Sequence, residues 1–263
     1  CTVSDKITKE IIETSDRRTK IIANFGVGVD NIDLEIAKKN EIIVTNTPDV
    51  LTEATVDIAT LLLLSVTRNA FYSEMMIRLG KWKGFSLVNN LGMDLRGKTI
   101  GIIGMGRIGK SFAKRANQAF GMKVLYFNRS PVKDLGFEAN VRFDIDKLLE
   151  ESDVISVHIS SGKDNKNFLS KNRLRKIRKS AFFINTSRGD VVDEEALTSL
   201  LRNREIAGAG LDVFINEPNV SDNLRSLPNV TLLPHIGSAT IETREKMGML
   251  ALSNLLAFFN KTD

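Results

Sequence analysis

The sequence has few of the residues that form cross-links and metal sites, with one cysteine and two histidines among 263 residues. A single cysteine excludes an internal disulfide, and two histidines leave little scope for a soft-metal site, so we expect no metal. No apolar run approaches the ~18 residues needed to cross a bilayer, and the mean hydropathy is -0.08. The polar segment after Cys1 is not a secretory leader. We expect a cytoplasmic protein with no membrane partner, and a chain that continues upstream of Cys1.

The charges are too scattered to define a partner. The formal net charge is +5, from 37 basic and 32 acidic side chains. The densest basic run, KNRLRKIRK at residues 171–179, has no aromatic residue nearby. We therefore interpret this run as a solvated helix and expect no nucleic-acid partner. Steering of anionic substrates by the net positive charge stays open.

The most informative stretch is TIGIIGMGRIG at residues 99–109, where an apolar strand leads straight into three closely spaced glycines. A helical pattern then opens at Lys110. In such a turn Gly104 permits the tight bend, Gly106 lets the backbone approach a phosphate, and Gly109 allows helix and strand to pack closely. Free N–H groups and the positive end of the helix then bind a pyrophosphate. The strand before the glycines and the helix after them predict dinucleotide binding here.

From residue 99 onward, short apolar runs alternate with amphipathic stretches. Near-continuous runs of Val, Ile, Leu and Phe separated by helices are typical of a parallel sheet covered on both faces. We therefore predict an α/β fold with a doubly wound parallel sheet, a Rossmann nucleotide domain. The predicted strands are 99–103, 124–127, 154–158, 181–185, 207–213 and 230–233, with helices that include 110–120, 146–151 and 194–202.

The residues before this region form too short a pattern to close a domain. Two more buried strands are predicted over 20–23 and 42–45, with a helix over 33–40 between them. We expect this piece to pair with a C-terminal helix over 241–259 and to lack the rest of its domain. The predicted domains are therefore 1–46 plus 237–263, and 47–236 for dinucleotide binding.

A long helix is predicted over 52–69, and its middle, 58–66, is apolar on every face. A helix that is apolar all round needs burial all round. We expect one side to pack on its own domain and the other on a second subunit, which predicts a homodimer. A fully internal helix of a monomer is the alternative.

Polar residues stand where three successive predicted strands stop: Arg188, then Asp212 and Glu217, then His235. Ligands of a dinucleotide-binding sheet lie at the carboxyl ends of its strands, so these side chains should face one crevice. Hydride transfer to a carbonyl needs a proton donor, a cation for an anionic substrate and a carboxylate that orients the donor. His235, Arg188 and Glu217 supply one of each. Taken singly, they could also be a satisfied buried histidine, a surface ion pair and a turn residue.

Several motifs, in this order and at this spacing, resemble the D-isomer-specific 2-hydroxyacid dehydrogenase family: NFGVGVDNID, TEATVDIATLLLL, GKW, GIIGMGRIGK, NTSRGDVVDEEAL, AGAGLDVFINEP and PHIGSAT. The resemblance runs from Ile21 to about Phe259 and is strongest to glyoxylate/hydroxypyruvate reductases. It implies an NAD(P)-dependent oxidoreductase that reduces a small 2-keto acid, glyoxylate or hydroxypyruvate, and whose second domain is a truncated flavodoxin-like substrate domain. The alternatives are a phosphoglycerate dehydrogenase-like enzyme and a dinucleotide-sensing, corepressor-like binding protein.

The resemblance also implies roles for individual residues. Arg188 would bind the substrate carboxylate and carbonyl oxygen, Glu217 would pair with the histidine, and His235 would act as acid and base. Backbone N–H groups of Val27 and Gly28 would hold the substrate carboxylate. Asp212 and the backbone near Thr186 would orient the nicotinamide carboxamide. The implied cofactor-binding set is Gly104, Met105, Gly106, Arg107, Ile108, Gly109, Asn128, Arg129, Ser130, Thr186, Ser187, Asp212 and Gly237.

Three features depart from the family's pattern. The family has a further stretch of substrate domain before the NFGVGVD loop. After His158 it usually has Pro and a Thr-rich turn, whereas this chain reads ISSGKD; we interpret His158 as structural or as lining the cofactor. The second strand of the sheet ends in Asn128-Arg129-Ser130, where an NAD-preferring member would carry an acidic residue for the ribose hydroxyls. We therefore expect NADP(H) to be preferred and NAD(H) to be accepted.

Overall fold

The computed structural model describes residues 1–260, and α-helices alternate with β-strands along this part of the chain. The strands are β1 Ile21–Ala23, β2 Ile43–Thr45, β3 Thr99–Ile103, β4 Lys123–Phe127, β5 Asn140–Val141, β6 Val154–Val157, β7 Phe182–Asn185, β8 Gly208–Leu211 and β9 Val230–Leu232. The helices are α1 Lys9–Ile12, α2 Leu34–Lys39, α3 Thr52–Thr67, α4 Ala70–Arg78, α5 Arg107–Phe120, α6 Ile145–Glu151, α7 Lys171–Leu174, α8 Glu194–Arg202, α9 Asp222–Arg225 and α10 Ile241–Phe259.

The chain divides into two compact units. One combines Cys1–Ala54 with the chain from Ser238 onward, and the other comprises Thr55–Gly237. The predicted division is 1–46 plus 237–263 and 47–236, and residues 261–263 of that prediction lie outside the described residues. The assignment of the smaller unit to substrate binding stays a prediction.

The larger unit is built on a seven-stranded parallel sheet with the order β5-β4-β3-β6-β7-β8-β9. The predicted doubly wound α/β fold is therefore confirmed. The strand order reverses between β3 and β6, and Ile103 at the end of β3 pairs with Phe127 on one side and Val157 on the other. Parallel sheets of this type bind their ligands outside the carboxyl ends of the strands at such a reversal.

Both faces of this sheet are covered, because side chains alternate between its two faces along each strand. On one face Ile100 and Ile102 pack in a cluster that includes Leu62 of α3 and Phe112 of α5. On the other, Ile103 belongs to a cluster with buried residues of α6 and α8. A Cβ on Gly210 would lie 2.8 Å from Cβ of Leu62, so this glycine allows α3 to pack directly on β8.

Helix α3 is shorter than predicted and is not buried all round within the chain. It ends at Thr67, and Asn69 adopts a left-handed φ of 51° before α4 begins. Its inward face is buried, whereas Leu61 and Leu64 are 47% and 40% exposed. No single helix among residues 1–260 is long and apolar enough to cross a membrane, although α3 and α4 together, bent by 68°, pass by length and composition.

The basic run at 171–179 is helical only in part, although most of its basic side chains are exposed as predicted. Helix α7 covers only four of its residues. Leu174 and Ile177 are buried in the core of the larger unit, so this segment packs against the domain through its apolar side chains. The guanidinium of Arg173 lies 4.4 Å from the ring centre of Phe168. Part of the positive charge is therefore engaged in packing.

The smaller unit pairs β1 with β2 in parallel, with Ile21 opposite Ile43. The predicted contact between the C-terminal helix and this piece is present, since α10 packs against β1. Asp33 caps α2 by accepting a hydrogen bond from the backbone N–H of Ile36 at 3.0 Å. The loop after β1 contains Val27 and Gly28.

Candidate active site

The glycine turn after β3 has the geometry that its sequence predicts. Gly104 has a left-handed φ of +95°, and a Cβ there would lie 2.7 Å from the carbonyl oxygen of His158. A Cβ on Gly109 would lie 2.0 Å from the carbonyl oxygen of Gly104, so only glycine lets α5 approach so closely. At Gly106, no atom of residues 1–260 other than those of Gly106 and its chain neighbours lies within 4 Å of that position. The turn is therefore tight on its protein side and open at Gly106.

Residues after β4 join this turn. The side-chain oxygen of Asn128 accepts a hydrogen bond from the backbone N–H of Met105 at 3.4 Å, and its Nδ2 donates to the carbonyl of Ser130 at 2.9 Å. Asn128 thus links two segments that were predicted to bind cofactor. Arg129 and Ser130 are exposed beside it. Arg107 and Ile108 form the first turn of α5.

His235, the predicted acid and base, forms a close pair with Glu217, the carboxylate predicted to orient it. Nδ1 of His235 lies 2.6 Å from Oε2 of Glu217, and Oε1 of Glu217 accepts the backbone N–H of Phe214 at 2.9 Å. Burial alone would raise the pKa of Glu217. The bonds from His235 and Phe214, with the charges of His235 and Arg188, outweigh it and lower this pKa. Glu217 is therefore an anion at neutral pH, as an orienting carboxylate requires.

His235 follows β9 in an unusual backbone conformation, with a left-handed φ of 54°. Such conformations cost about 1–3 kcal/mol in non-glycine residues and persist where the surroundings impose them. The surroundings here are supplied by Asp212, which is 1% exposed. Its Oδ1 accepts the N–H of Ile236 and its Oδ2 the N–H of Gly237, both at 2.8 Å. Asp212 thus fixes the two residues that follow His235.

Burial raises the pKa of Asp212 against the lowering effect of these hydrogen bonds and of the His235 charge. Beside it at the end of β7, Thr186 is buried, and its hydroxyl has no partner within the described residues. An unpaired buried hydroxyl is costly, so a bound polar ligand would supply the missing interaction. The carboxamide of a cofactor is predicted at this same place.

Arg188 lies in the turn after β7, and its Nη1 donates to the carbonyl of Ser187 at 2.9 Å. The following residue, Gly189, is so close to the neighbouring loop that a Cβ would lie 2.0 Å from the carbonyl carbon of Phe214. Strands β7, β8 and β9 are neighbours in register, so the turns after them meet at one edge of the sheet. The structure therefore brings Arg188, Asp212, Glu217 and His235 to the same edge.

His158 stands at the end of β6, where Nε2 lies 2.9 Å from the Ser156 hydroxyl and the ring packs 5.5 Å from that of Phe112. Burial lowers its pKa to about 3, so this ring is neutral at neutral pH. Its carbonyl oxygen occupies the space that a Cβ on Gly104 would need. The interpretation as a structural or cofactor-lining residue is consistent with these contacts.

Two residues near the site were not predicted from the sequence. Asn185 ends β7 and is buried. Glu194 at the start of α8 accepts the backbone N–H of Ile215 at 3.0 Å, and burial raises its pKa. The sequence does give a signal for Asn185, since an amide that ends an apolar strand must find partners. Glu194 lies inside a helical pattern and gives no such signal.

Val27 and Gly28 belong to the smaller unit. The carbonyl of Val27 accepts a hydrogen bond from Nδ2 of Asn46 at 2.8 Å, and that of Gly28 accepts one from Nδ2 of Asn24 at 2.7 Å. Their loop is therefore held by side-chain amides. Their role in binding substrate stays a prediction.

A doubly wound sheet, a glycine turn and a histidine–carboxylate pair beside an arginine together define a dinucleotide-dependent dehydrogenase. Comparison with known proteins identifies the family: residues 60–237 match the sequence model for "D-isomer specific 2-hydroxyacid dehydrogenase, NAD binding domain". The chain belongs to this family. It is an NAD(P)-dependent oxidoreductase that binds a nicotinamide dinucleotide.

Similar proteins cover most of the chain. A glyoxylate reductase from Thermococcus litoralis is 47% identical over 97% of this chain and 78% of its own length. A solved structure shows an NADPH-dependent glyoxylate/hydroxypyruvate reductase from Sinorhizobium meliloti in complex with NADP and malonate. Its sequence is 41% identical to this chain, and the two structures match with a TM-score of 0.85. The match covers 91% of this chain and 74% of the reductase. A D-lactate dehydrogenase from Aquifex aeolicus, complexed with NAD and lactic acid, is 30% identical with a TM-score of 0.90, over 99% and 82%.

Proposed function

We propose that the protein reduces a small 2-keto acid, glyoxylate or hydroxypyruvate, to the corresponding 2-hydroxy acid with NAD(P)H. The observation that carries this proposal is the 2.6 Å contact between His235 and Glu217 at the sheet edge that also presents Arg188. The names of the similar enzymes from Thermococcus litoralis and Sinorhizobium meliloti support the choice of substrate.

His235 is the proposed proton donor. With Nδ1 bonded to an anionic Glu217, the ring carries a proton on that nitrogen, and Nε2 exchanges the second proton with the substrate oxygen. Reduction consumes the protonated form of the ring, in which Nδ1 and Nε2 both carry a proton. When bound, the reduced nicotinamide supplies a hydride to the carbonyl carbon. His235 then neutralises the charge that develops on the carbonyl oxygen.

Arg188 is the proposed anchor for the substrate. A guanidinium can contact the carboxylate and the carbonyl oxygen of a 2-keto acid at once, because its donors form a planar fork. The carbonyl of Ser187 already holds one side of that fork. We assign the backbone N–H groups of Val27 and Gly28 to the substrate carboxylate.

For the cofactor, we assign the pyrophosphate to residues 104–109, where Gly106 leaves room for it. The hydroxyl of Thr186 and the Asp212 carboxylate, with Ser187 and Gly237 beside them, are assigned to the nicotinamide end. We assign Asn128, Arg129 and Ser130 to the adenosine ribose. The exposed guanidinium of Arg129 and the absence of a carboxylate from this turn favour NADPH over NADH.

We also propose a cytoplasmic homodimer. Besides Leu61 and Leu64 of α3, apolar side chains are exposed along residues 71–91, which we call the apolar segment. Trp82 and Phe85 in this segment are 60% and 88% exposed. Large contiguous apolar patches on a protein surface mark interaction sites. A second copy related by a two-fold axis would cover this segment and the outer face of α3 together.

The function is tested by steady-state kinetics with a panel of 2-keto acids and both reduced cofactors. We expect the highest kcat/KM with glyoxylate or hydroxypyruvate. A higher kcat/KM with pyruvate or with 3-phosphohydroxypyruvate would contradict the proposed choice of substrate. Cofactor binding without turnover of any keto acid would favour a dinucleotide-sensing protein.

A further inference from the structure

Asn185, the last residue of β7, is 2% exposed and has no role in the function proposed above. Its side chain makes three hydrogen bonds to the turn that follows. Nδ2 donates to the carbonyl of Arg188 at 2.8 Å. Oδ1 accepts from the backbone N–H of Ser187 at 3.0 Å and from its hydroxyl at 2.8 Å. The side-chain amide thus donates to Arg188 and accepts from Ser187, the residue just before it.

The guanidinium itself is connected to this arrangement. Nη1 of Arg188 donates to the carbonyl of Ser187, and Asn185 holds the N–H and the hydroxyl of the same Ser187. On its other side the turn is closed by Gly189, which lies directly against the peptide between Phe214 and Ile215. Asn185 therefore bonds directly to the backbone of Arg188, and it also bonds to Ser187, whose carbonyl accepts a hydrogen bond from the guanidinium.

We infer that Asn185 is a positioning residue, which orients the Arg188 guanidinium toward the substrate through the Ser187–Arg188 turn. This inference rests on the proposed role of Arg188. Asparagine suits the position because it combines a donor and an acceptor on a short side chain. A carboxylate of the same shape cannot donate to the Arg188 carbonyl, and an apolar residue would leave Ser187 without its buried partner.

The first test replaces Asn185 with alanine in the full chain. Displacing a substrate-binding group by about 1 Å costs on the order of 100-fold in rate. We therefore expect N185A to lower kcat/KM for glyoxylate about 10- to 100-fold. The Kd for NADPH, measured by fluorescence titration, should change less than about threefold because the glycine turn is untouched. An unchanged kcat/KM in a folded N185A protein would overturn the inference.

A double-mutant cycle separates positioning from general destabilisation. If Asn185 acts through Arg188, N185A should lower the residual kcat/KM of R188A less than about threefold, assayed at high enzyme concentration. Effects of the two substitutions that multiply would show that Asn185 acts independently of Arg188. If R188A alone leaves kcat/KM unchanged, the proposed role of Arg188 fails instead. If N185A does not fold, N185S carries the same cycle.

Two further variants, S187A and N185D, test the contacts of Asn185 separately, and a third variant, N229A, serves as a control. Among the three bonds of Asn185, S187A removes the one from the Ser187 hydroxyl, and its effect on cofactor binding is measured separately as the Kd for NADPH. N185D keeps the acceptor for Ser187 but opposes the Arg188 carbonyl, so it should lower kcat/KM more than S187A does. Asn229 makes a similar pair of bonds, donating to the carbonyls of Leu201 and Ala207 at 3.2 Å each, but precedes β9 at the other end of the sheet. N229A should lower Tm and leave kcat/KM unchanged. An equal loss of kcat/KM in N229A would reduce Asn185 to a structural residue.

Discussion

At the scale of single residues, the contact between His235 and Glu217 leads to the first prediction. Replacing His235 with glutamine should lower kcat for keto-acid reduction about 10²- to 10⁴-fold, the usual contribution of a positioned proton donor. The Kd for NADPH, measured by fluorescence titration, should change less than about threefold, because the substitution leaves the glycine turn intact. Near wild-type kcat in H235Q at neutral pH would remove His235 from this role.

The carboxylate of Glu217 gives a second prediction. Replacing it with glutamine keeps the shape but removes the negative charge that orients the ring and faces its Nδ1 proton. E217Q should therefore lower kcat/KM for reduction, measured as a pH profile, because proton transfer needs a correctly oriented donor. The profile of E205Q, a substitution of an exposed glutamate after α8, should match that of the wild type. A profile of E217Q that also coincides with the wild type would contradict the proposed pairing.

Arg129 leads to a prediction on cofactor choice. A hydrogen bond to a charged group contributes ~1.5–3 kcal/mol, which corresponds to about one to two powers of ten in affinity. R129A should therefore raise KM for NADPH about 10- to 100-fold and change KM for NADH little. The exposed Arg202 at the end of α8 provides the matched control, R202A. Equal increases in KM for NADPH and NADH in R129A would show that Arg129 does not bind the 2′-phosphate of NADPH.

At the scale of elements, the ion pair between Arg142, just after β5, and Glu151 at the end of α6 leads to a prediction on stability. Nη2 of Arg142 lies 2.7 Å from Oε2 of Glu151, and this bond lowers the pKa of Glu151. A carboxyl with a lowered folded pKa stabilises above its unfolded pKa and loses that contribution as the pH falls through the folded value. E151Q should reduce the free energy of unfolding at pH 7 by under about 1 kcal/mol. The difference in free energy of unfolding between E151Q and the wild type should vanish in acid. A difference that does not change with pH would contradict this prediction.

The sequence predicts the sheet better than the short elements around it. Strands such as β3 and β7 are continuous apolar runs, and burial on both faces is what such runs require. Strand β3 has the predicted bounds, whereas the ends of other strands differ by one or two residues. In β8, for example, Val213 extends the apolar pattern beyond the last ladder pair at Leu211. Helix α4 was not predicted, although Phe71, Tyr72, Met75 and Met76 recur at helical spacing; none of its residues is buried within the chain. Strand β5 has only two residues.

The same limit applies to the candidate site. Strand ends place Arg188, Asp212 and His235 at one edge, because parallel strands share their direction. Hydrogen-bond partners do not follow from spacing, so the bonds of Asn185 to Ser187 and Arg188 required the structure. The two oxygens of Asp212 likewise hold Ile236 and Gly237, which spacing alone did not indicate.

At the scale of the whole molecule, the apolar segment and the outer face of α3 predict a dimer. Light scattering at micromolar concentration should give twice the mass of one chain. L64D places a charge on the exposed side of α3 and should shift the protein toward the monomer. M249D makes the same kind of change on α10, where Met249 is 66% exposed, and should leave the dimer intact. A monomeric wild type would contradict the proposal.

His158 predicts how the folded state responds to acid. Burial lowers its pKa from 6.5 to about 3. Below pH 6.5 His158 is therefore protonated in the unfolded chain but stays neutral in the folded chain. Stability should fall with acidification by up to about 1.4 kcal/mol per pH unit from this group. The decrease in Tm from pH 7 to pH 5 should be smaller in H158N. An equal decrease in both proteins would show that His158 is not responsible.

The glycine turn, Arg188, Glu217 and His235 all lie within the single continuous stretch Thr55–Gly237, while Val27 and Gly28 lie outside it. On the proposed assignment, the groups that move the hydride and the proton lie on one continuous piece of chain, and part of the recognition of the acid lies on another. We therefore expect substitutions at Val27 and Gly28 to change which acids are accepted and to leave the chemistry in place.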